Sequence, residues 1–154
     1  MKSLVVFYSR TGTSRMVAEK ISKALNSDLE EIIDKKSRAG PLGWLSGGKD
    51  ASQKALTDIM PIKFDPAKYD VVVIGSPIWA GNLTPAIRTY ISENKGKIKK
   101  AAYFCTQGGN NPSQFFSDIE DACGRSGCAT LSITTHEAKS SSIDDKINAF
   151  AKRI

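Results

Sequence analysis

Apolar residues fall into two kinds of run that alternate along the chain. Leu4-Val5-Val6-Phe7-Tyr8, Val71-Val72-Val73-Ile74 and Ala101 to Cys105 are continuous, the pattern of strands covered on both faces. Leu29 to Ile33, which alternates as at a sheet edge, and Ala129 to Ile133 bring the strand candidates to five. Between them the spacing is helical. Residues 14–26 place Val17, Ile21 and Leu25 on one face, beside Ala18 and Ala24. Ile87, Tyr90 and Ile91 mark a helix opening at Thr84-Pro85, with Thr as cap and Pro at the first helical position. Phe115, Phe116, Ile119 and Ala122 mark another, opening at Asn111-Pro112 and ending near Gly124 or Gly127. Ser142-x-x-Asp145 reads as a capping box before Ile143, Ile147, Phe150 and Ile154. Residues 35–68 are irregular, with a helix expected from about Gly48 to Ile59.

Strand and helix therefore alternate five times, with no hairpin signal, internal repeat or linker. That order predicts a single α/β domain over residues 1–154: a doubly wound, five-stranded parallel sheet with helices on both faces. Ligands of such sheets bind beyond the carboxyl ends of the strands, where the winding reverses. The loops after strands 1, 3 and 4 are the ones to read.

The loop after strand 1, Ser9-Arg10-Thr11-Gly12-Thr13-Ser14, has four hydroxyls, one glycine and no carboxylate. It runs straight into a helix N-terminus, where free N–H groups and the helix dipole favour an anion. Hydroxyls that only cap the helix are the alternative, but four in six positions exceed what a cap needs. The loop after strand 3, Gly75-Ser76-Pro77-Ile78-Trp79-Ala80-Gly81-Asn82, is uncharged and sets one aromatic among small residues. Trp79 there either covers the sheet edge or forms a stacking platform for a flat ring. The loop after strand 4, Thr106-Gln107-Gly108-Gly109-Asn110-Asn111, offers backbone and amide groups suited to a heterocycle edge, or is an ordinary turn.

Together these loops read as a phosphate clamp, an aromatic wall and a polar edge. Tyr8-Ser9-Arg10-Thr11-Gly12-Thr13-Ser14 resembles the phosphate-loop motif of the flavodoxin family, hydroxyl-x-Thr-Gly-x-Thr/Ser. Gly75 to Gly81 resembles the second flavin loop of its compact members, and Thr106 to Gly109 the third. The resemblance spans essentially the whole chain. It implies a sheet in the order 2-1-3-4-5 and non-covalently bound FMN. It further implies Ser9, Thr11, Gly12, Thr13 and Ser14 at the phosphate, Pro77 to Gly81 beside the isoalloxazine, and Thr106 to Gly109 near its pyrimidine side. The Ala80-Gly81 peptide is the backbone group the resemblance places near the flavin N5. No insertion splits strand 5, as in short-chain members.

Composition sharpens this picture in three respects. Lys plus Arg number 22 against 16 Asp plus Glu, a net +6. Each half of the chain carries +3, so there is no basic or acidic tail, and the excess alone does not point to nucleic acid. Familiar electron-carrier flavodoxins are acidic, and the acids they often place near the flavin are missing from all three loops. The stretch Lys35-Lys36-Ser37-Arg38, after strand 2, is expected at the carboxyl-end rim as an attractor of an acidic partner. Lys95, Lys97, Lys99 and Lys100 precede strand 4 and belong at the opposite edge. Cys105, Cys123 and Cys128 are an odd count without C-x-x-C, which suits buried thiols in a reducing cytoplasm, or a redox pair of Cys123 with Cys128. No apolar run approaches the length of a membrane span, and the N-terminus reads as a strand rather than a signal peptide.

Other motifs fall away. Gly43-x-x-x-x-Gly48-Lys49 copies most of a P-loop but has Asp50 where Ser or Thr is needed and no strand running into it. The receiver acids are replaced by Ser9 and Ser76, no C-x5-R exists, and the lone His136 reads as a solvated loop residue. The expected function is electron transfer through FMN to or from a partner protein, by a cytoplasmic monomer or homodimer. An NAD(P)H-dependent flavin or quinone reductase of the same fold is the alternative, and a flavin-free interaction module the third.

Overall fold

The computed structural model describes residues 1–109 and 111–154. Asn110 of the third loop lies outside the described residues. Five parallel strands, β1 (Ser3–Phe7), β2 (Asp28–Glu31), β3 (Val71–Pro77), β4 (Ala101–Gln107) and β5 (Thr130–Thr134), form one sheet in the order β2-β1-β3-β4-β5. Val5 pairs with Leu29 on one side and Val73 on the other; Val73 pairs with Ala102, and Phe104 with Leu131. The continuous apolar runs are the three central strands, as two-sided burial requires.

Alternate residues feed two cores. Leu4, Val6 and Tyr8 pack with α3 (Pro85–Asn94) and α4 (Ser113–Cys123) on one face. Val5 and Phe7 pack with α1 (Thr13–Leu25) and α6 (Ile143–Lys152) on the other. Cys123 belongs to the first core and Cys128 to the margin of the second, with all three thiols free. The sheet thus separates the two cysteines weighed as a redox pair.

Three local expectations are corrected. The crossover helix α2 spans Gly40–Ser52 and not 48–59; beyond it the chain returns extended, with an antiparallel bridge between Asp34 and Ile59. Thr84 precedes α3, but its side chain makes no cap bond and its hydroxyl lies 3.0 Å from Ser76 Oγ. Ser142 likewise makes no cap bond. The capping box falls earlier, before the short helix α5 (Thr135–Ala138): Glu137 N–H donates to Thr134 Oγ1 at 3.0 Å and Thr134 N–H to Glu137 Oε1 at 3.2 Å.

A buried ion pair links the two helices of the first core. Asp118 of α4 accepts from the Arg88 guanidinium and, at 3.0 Å, from Leu83 N–H. Burial pushes its carboxyl up, but the Arg88 hydrogen bond, the Leu83 N–H and the Arg88 and Lys54 charges outweigh this and hold it below the ordinary range. A carboxylate depressed in the folded state contributes stability that is present above its unfolded pKa and is lost as pH falls through the folded one. The urea midpoint should therefore drop as pH falls below about 4. The Asp118→Asn protein should start less stable and lose less over the same range.

Candidate flavin site at the carboxyl edge

The chain leaves β1 through Ser9 to Gly12 and enters α1 without a cap. Gly12, at φ 104°, takes the left-handed turn that a side chain would resist. Its N–H donates to Ser9 Oγ at 3.0 Å. The first intrahelical bond runs from Met16 N–H to the Gly12 carbonyl at 3.0 Å. The N–H groups of Thr13, Ser14 and Arg15 precede it, and no side chain caps them or brings an acid into the first turn. The hydroxyls are therefore not mere caps. Ser14 Oγ lies 2.7 Å from Thr106 Oγ1, which ties the first loop to the third.

The loop after β3 turns back on itself. Trp79 N–H donates to the Asn82 carbonyl at 3.1 Å and Asn82 N–H to the Trp79 carbonyl at 2.9 Å. Ala80 and Gly81 between them both have positive φ, 50° and 80°, as in the two-residue turns of β-hairpins. An alanine there costs roughly 1–2 kcal/mol. The Asn82 side chain holds the turn from behind, donating to the Ala51 carbonyl at 3.0 Å and accepting from Gln114 at 2.9 Å. Trp79 packs edge-on to Tyr8, ring centres 5.5 Å apart. Burial, then the Asp34 charge, pushes the Tyr8 hydroxyl up to about 12, so it stays neutral at physiological pH.

The third loop is clamped at its base. Ile78 N–H donates to the Thr106 carbonyl at 3.0 Å, and Thr135 Oγ1 to the Gln107 carbonyl at 3.2 Å. Gln107 Nε2 donates to Ser132 Oγ at 2.7 Å, while its Oε1 is buried without a partner among the described residues.

These loops enclose a cleft of about 230 Å³ walled by Ser9, Arg10, Thr11, Thr13, Ser14, Pro77, Ile78, Trp79, Thr106, Gln107 and Gly108. Ala80 lines an adjoining cleft of about 470 Å³. Neither wall contains a carboxylate. Of the remaining expected residues, Gly12, Gly81 and Gly109 shape the backbone outside the walls, and Asn82 and Ser76 are buried behind them. A larger hollow of about 680 Å³ follows the outer edge of β2, away from the three loops.

The expected basic rim is corrected. Arg38 is buried: Nε donates to Asp34 at 3.1 Å and Nη1 to Asp50 at 2.6 Å. Lys36 also pairs with Asp50, at 3.2 Å, leaving Lys35 without an ion pair among the described residues. Arg10 instead reaches over this segment, donating to the carbonyls of Arg38 at 2.7 Å and Gly40 at 3.2 Å.

Trp44 was not expected in the site. It projects from α2 and lines both clefts. A Cβ on Gly43 would meet the Arg38 carbonyl carbon at 2.2 Å, and one on Gly47 the Trp79 ring at 2.8 Å. Gly43 and Gly47 thus form the contact face of α2, whereas Gly48, which completes the P-loop imitation, has open space where a Cβ would stand. The available signal for Trp44 was an aromatic set between such glycines. Replacing Arg38 by Met should leave the Asp34 charge, whose side chain is 3% exposed, without its ion pair and with only the Lys36 N–H and Thr57 hydroxyl as donors, and cost about 3–5 kcal/mol, measurable by urea unfolding.

A flavodoxin family model matches residues 2–138. No curated protein matches the sequence. Among solved structures, a flavoprotein from Lactobacillus acidophilus in complex with FMN is 24% identical, with a TM-score of 0.74 over 94% of this chain and 97% of that one. A protein from Bacteroides eggerthii is 25% identical, TM-score 0.76, over 98% and 96%. Oxidised flavodoxin 2 from Bacillus cereus is 18% identical, TM-score 0.66, over 99% and 97%. The structural likenesses carry the fold, and the sequence model covers nearly every element that builds the clefts: this chain belongs to the flavodoxin family.

Proposed function

We propose that the protein binds FMN non-covalently across the loops after β1, β3 and β4 and exchanges electrons with a redox partner through it. The carrying observation is the uncapped N-terminus of α1, opening with its hydroxyls into a cleft that has no carboxylate. A phosphate dianion meets the dipole and free N–H groups there without repulsion. Gln107 Oε1, without a partner among the described residues, supplies an acceptor for a heterocycle N–H. The same fold holds FMN in the Lactobacillus acidophilus flavoprotein.

When bound, FMN supplies the one- and two-electron chemistry; the protein holds and tunes it. Ser9, Thr11, Thr13 and Ser14 take the phosphate. Pro77, Ile78 and Trp79 wall the ring, Gln107 and Gly108 meet its polar edge, and the Ala80-Gly81 peptide is the backbone group assigned to N5. The partner approaches at Arg10 and Lys49 rather than at the neutralised Lys36–Arg38 segment, which favours an acidic face. Three free cysteines suit a reducing cytoplasm. The second cleft, lined by Arg10 and Lys49, favours one further reading, a reductase that also takes a small-molecule substrate.

The absorption spectrum of the purified protein, with the released chromophore identified, tests the cofactor. A colourless protein that cannot be reconstituted with FMN would leave a flavin-free module. Turnover of NADPH with a quinone, without a separate reductase, would select the enzyme. Thr11→Ala removes a hydrogen bond to a charged group, worth about 1.5–3 kcal/mol, and should weaken FMN binding roughly ten- to a hundred-fold in a fluorescence titration. With no acid in either wall, the potential for full reduction should lie above that of acidic flavodoxins, as read by redox titration.

A further inference from the structure

The cleft of about 470 Å³ beside the phosphate loop is of ligand size, and its lining has a consistent chemistry. One wall is the outward face of α2: Trp44 is 64% exposed, Leu45 59%, and Lys49 follows one turn later. Ile78, Trp79 and Ala80 form the other wall, and Arg10 stands at the junction with the phosphate cleft. Neither Arg10 nor Lys49 forms an ion pair among the described residues. This contrasts with Lys36 and Arg38 nearby, which are balanced by Asp50 and Asp34.

Large apolar side chains left open on a helix, rimmed by charge, mark a binding surface. The shape of this one is narrow. Gly47 brings α2 so close to Trp79 that a Cβ would strike the ring, so the two tryptophans border one slot. Indole faces take flat rings by stacking. Two cations without an ion pair among the described residues, Arg10 held only by the Arg38 and Gly40 carbonyls, and no acid in the lining add attraction for negative charge. We propose that this cleft is a second binding site, for a planar aromatic anion held between Trp44 and the Ile78–Ala80 loop, with its acidic group toward Lys49 and Arg10. The site rests on the flavin reading, because it shares Arg10, Trp44, Ile78 and Trp79 with the phosphate cleft and so sets its occupant beside the flavin. It names the substrate class: an aromatic carrying carboxylate, sulfonate or phosphate, rather than a neutral ring.

Naphthalene-2-sulfonate, planar, anionic and redox-inert, tests binding apart from electron transfer. It is titrated into the FMN-loaded protein with tryptophan fluorescence as readout, beside neutral 2-naphthalenemethanol and non-aromatic methanesulfonate. The sulfonated ring should bind at least about tenfold more tightly than either comparator, and more weakly as salt is raised. In FMN-loaded protein, Lys49→Glu should weaken it by about tenfold or more while leaving binding of the neutral ring unaltered, and Trp44→Leu should weaken all aromatic binding. Equal binding of the neutral ring, indifference to Lys49→Glu, or no saturable binding by FMN-loaded protein would each overturn the site. Failure to take up FMN at all, seen in the absorption spectrum, would overturn the flavin reading and this one with it.

Discussion

Parallel pairing of β1 with β3, while their helices leave to opposite faces, is the constraint on which the rest depends. Val5 pairs with Val73, yet α1 packs into one core and α3 into the other. Past the last paired residues the two loops diverge and neither covers the other. A crevice at that point follows from the topology whatever the residues are. The residues decide what enters it: here an uncapped helix start, hydroxyls and no acid on the β1 side, and an indole on a two-residue turn on the β3 side.

The remaining wall comes from outside that topology. α2 has four glycines and a proline in 13 residues, and glycine alone costs about 1 kcal/mol per interior position relative to alanine. Packing must offset this. Gly43 and Gly47 allow contact distances no other residue permits, against Arg38 backbone and the Trp79 ring. The Arg38 guanidinium fixes the approach from beneath, joining Asp34 before the helix to Asp50 within it. Burial works against that charge, while the hydrogen bonds it donates to Asp50 and Asp34 and their charges raise its pKa overall. A helix with weak intrinsic preference is thereby held over the cleft, with Trp44 on its outer side.

This division explains what was legible in the sequence. Val71 to Ile74 or Ala101 to Cys105 admit one interpretation, because two-sided burial writes itself as an unbroken apolar run. The phosphate loop was legible because a helix start is a local structure, and Thr11 to Ser14 lie next to the backbone groups they assist. α2 was misplaced because its glycines are read locally as helix breakers, whereas Gly43 answers to the Arg38 backbone and Gly47 to the Trp79 ring, which lies far along the chain. Arg38 was expected in solvent for the same cause. Asp34 stands four residues before it, a visible signal, but Asp50 joins only when α2 folds back. Ser142 and Thr134 show the same limit at smaller scale: both precede an acid at capping distance, but only Thr134 makes the cap bond, while the Ser142 hydroxyl lies 3.0 Å from Ser140 Oγ.

The net charge then carries a different meaning from its sum. A +6 chain with its cations spread evenly would surround a bound phosphate with a diffuse field. Here Lys36 and Arg38, the cations expected at the rim, are absorbed by Asp50 and Asp34, and the basic run from Lys95 to Lys100 lies at the far edge of β4. The field at the phosphate cleft comes from the α1 dipole and Arg10, and that at the adjoining cleft from Arg10 and Lys49. Such short-range sources act within the cleft and are screened within roughly 8–10 Å outside it at ordinary ionic strength. Selectivity for anions therefore resides in the clefts themselves, and the acids that carrier flavodoxins often place near their flavin have no counterpart in these walls.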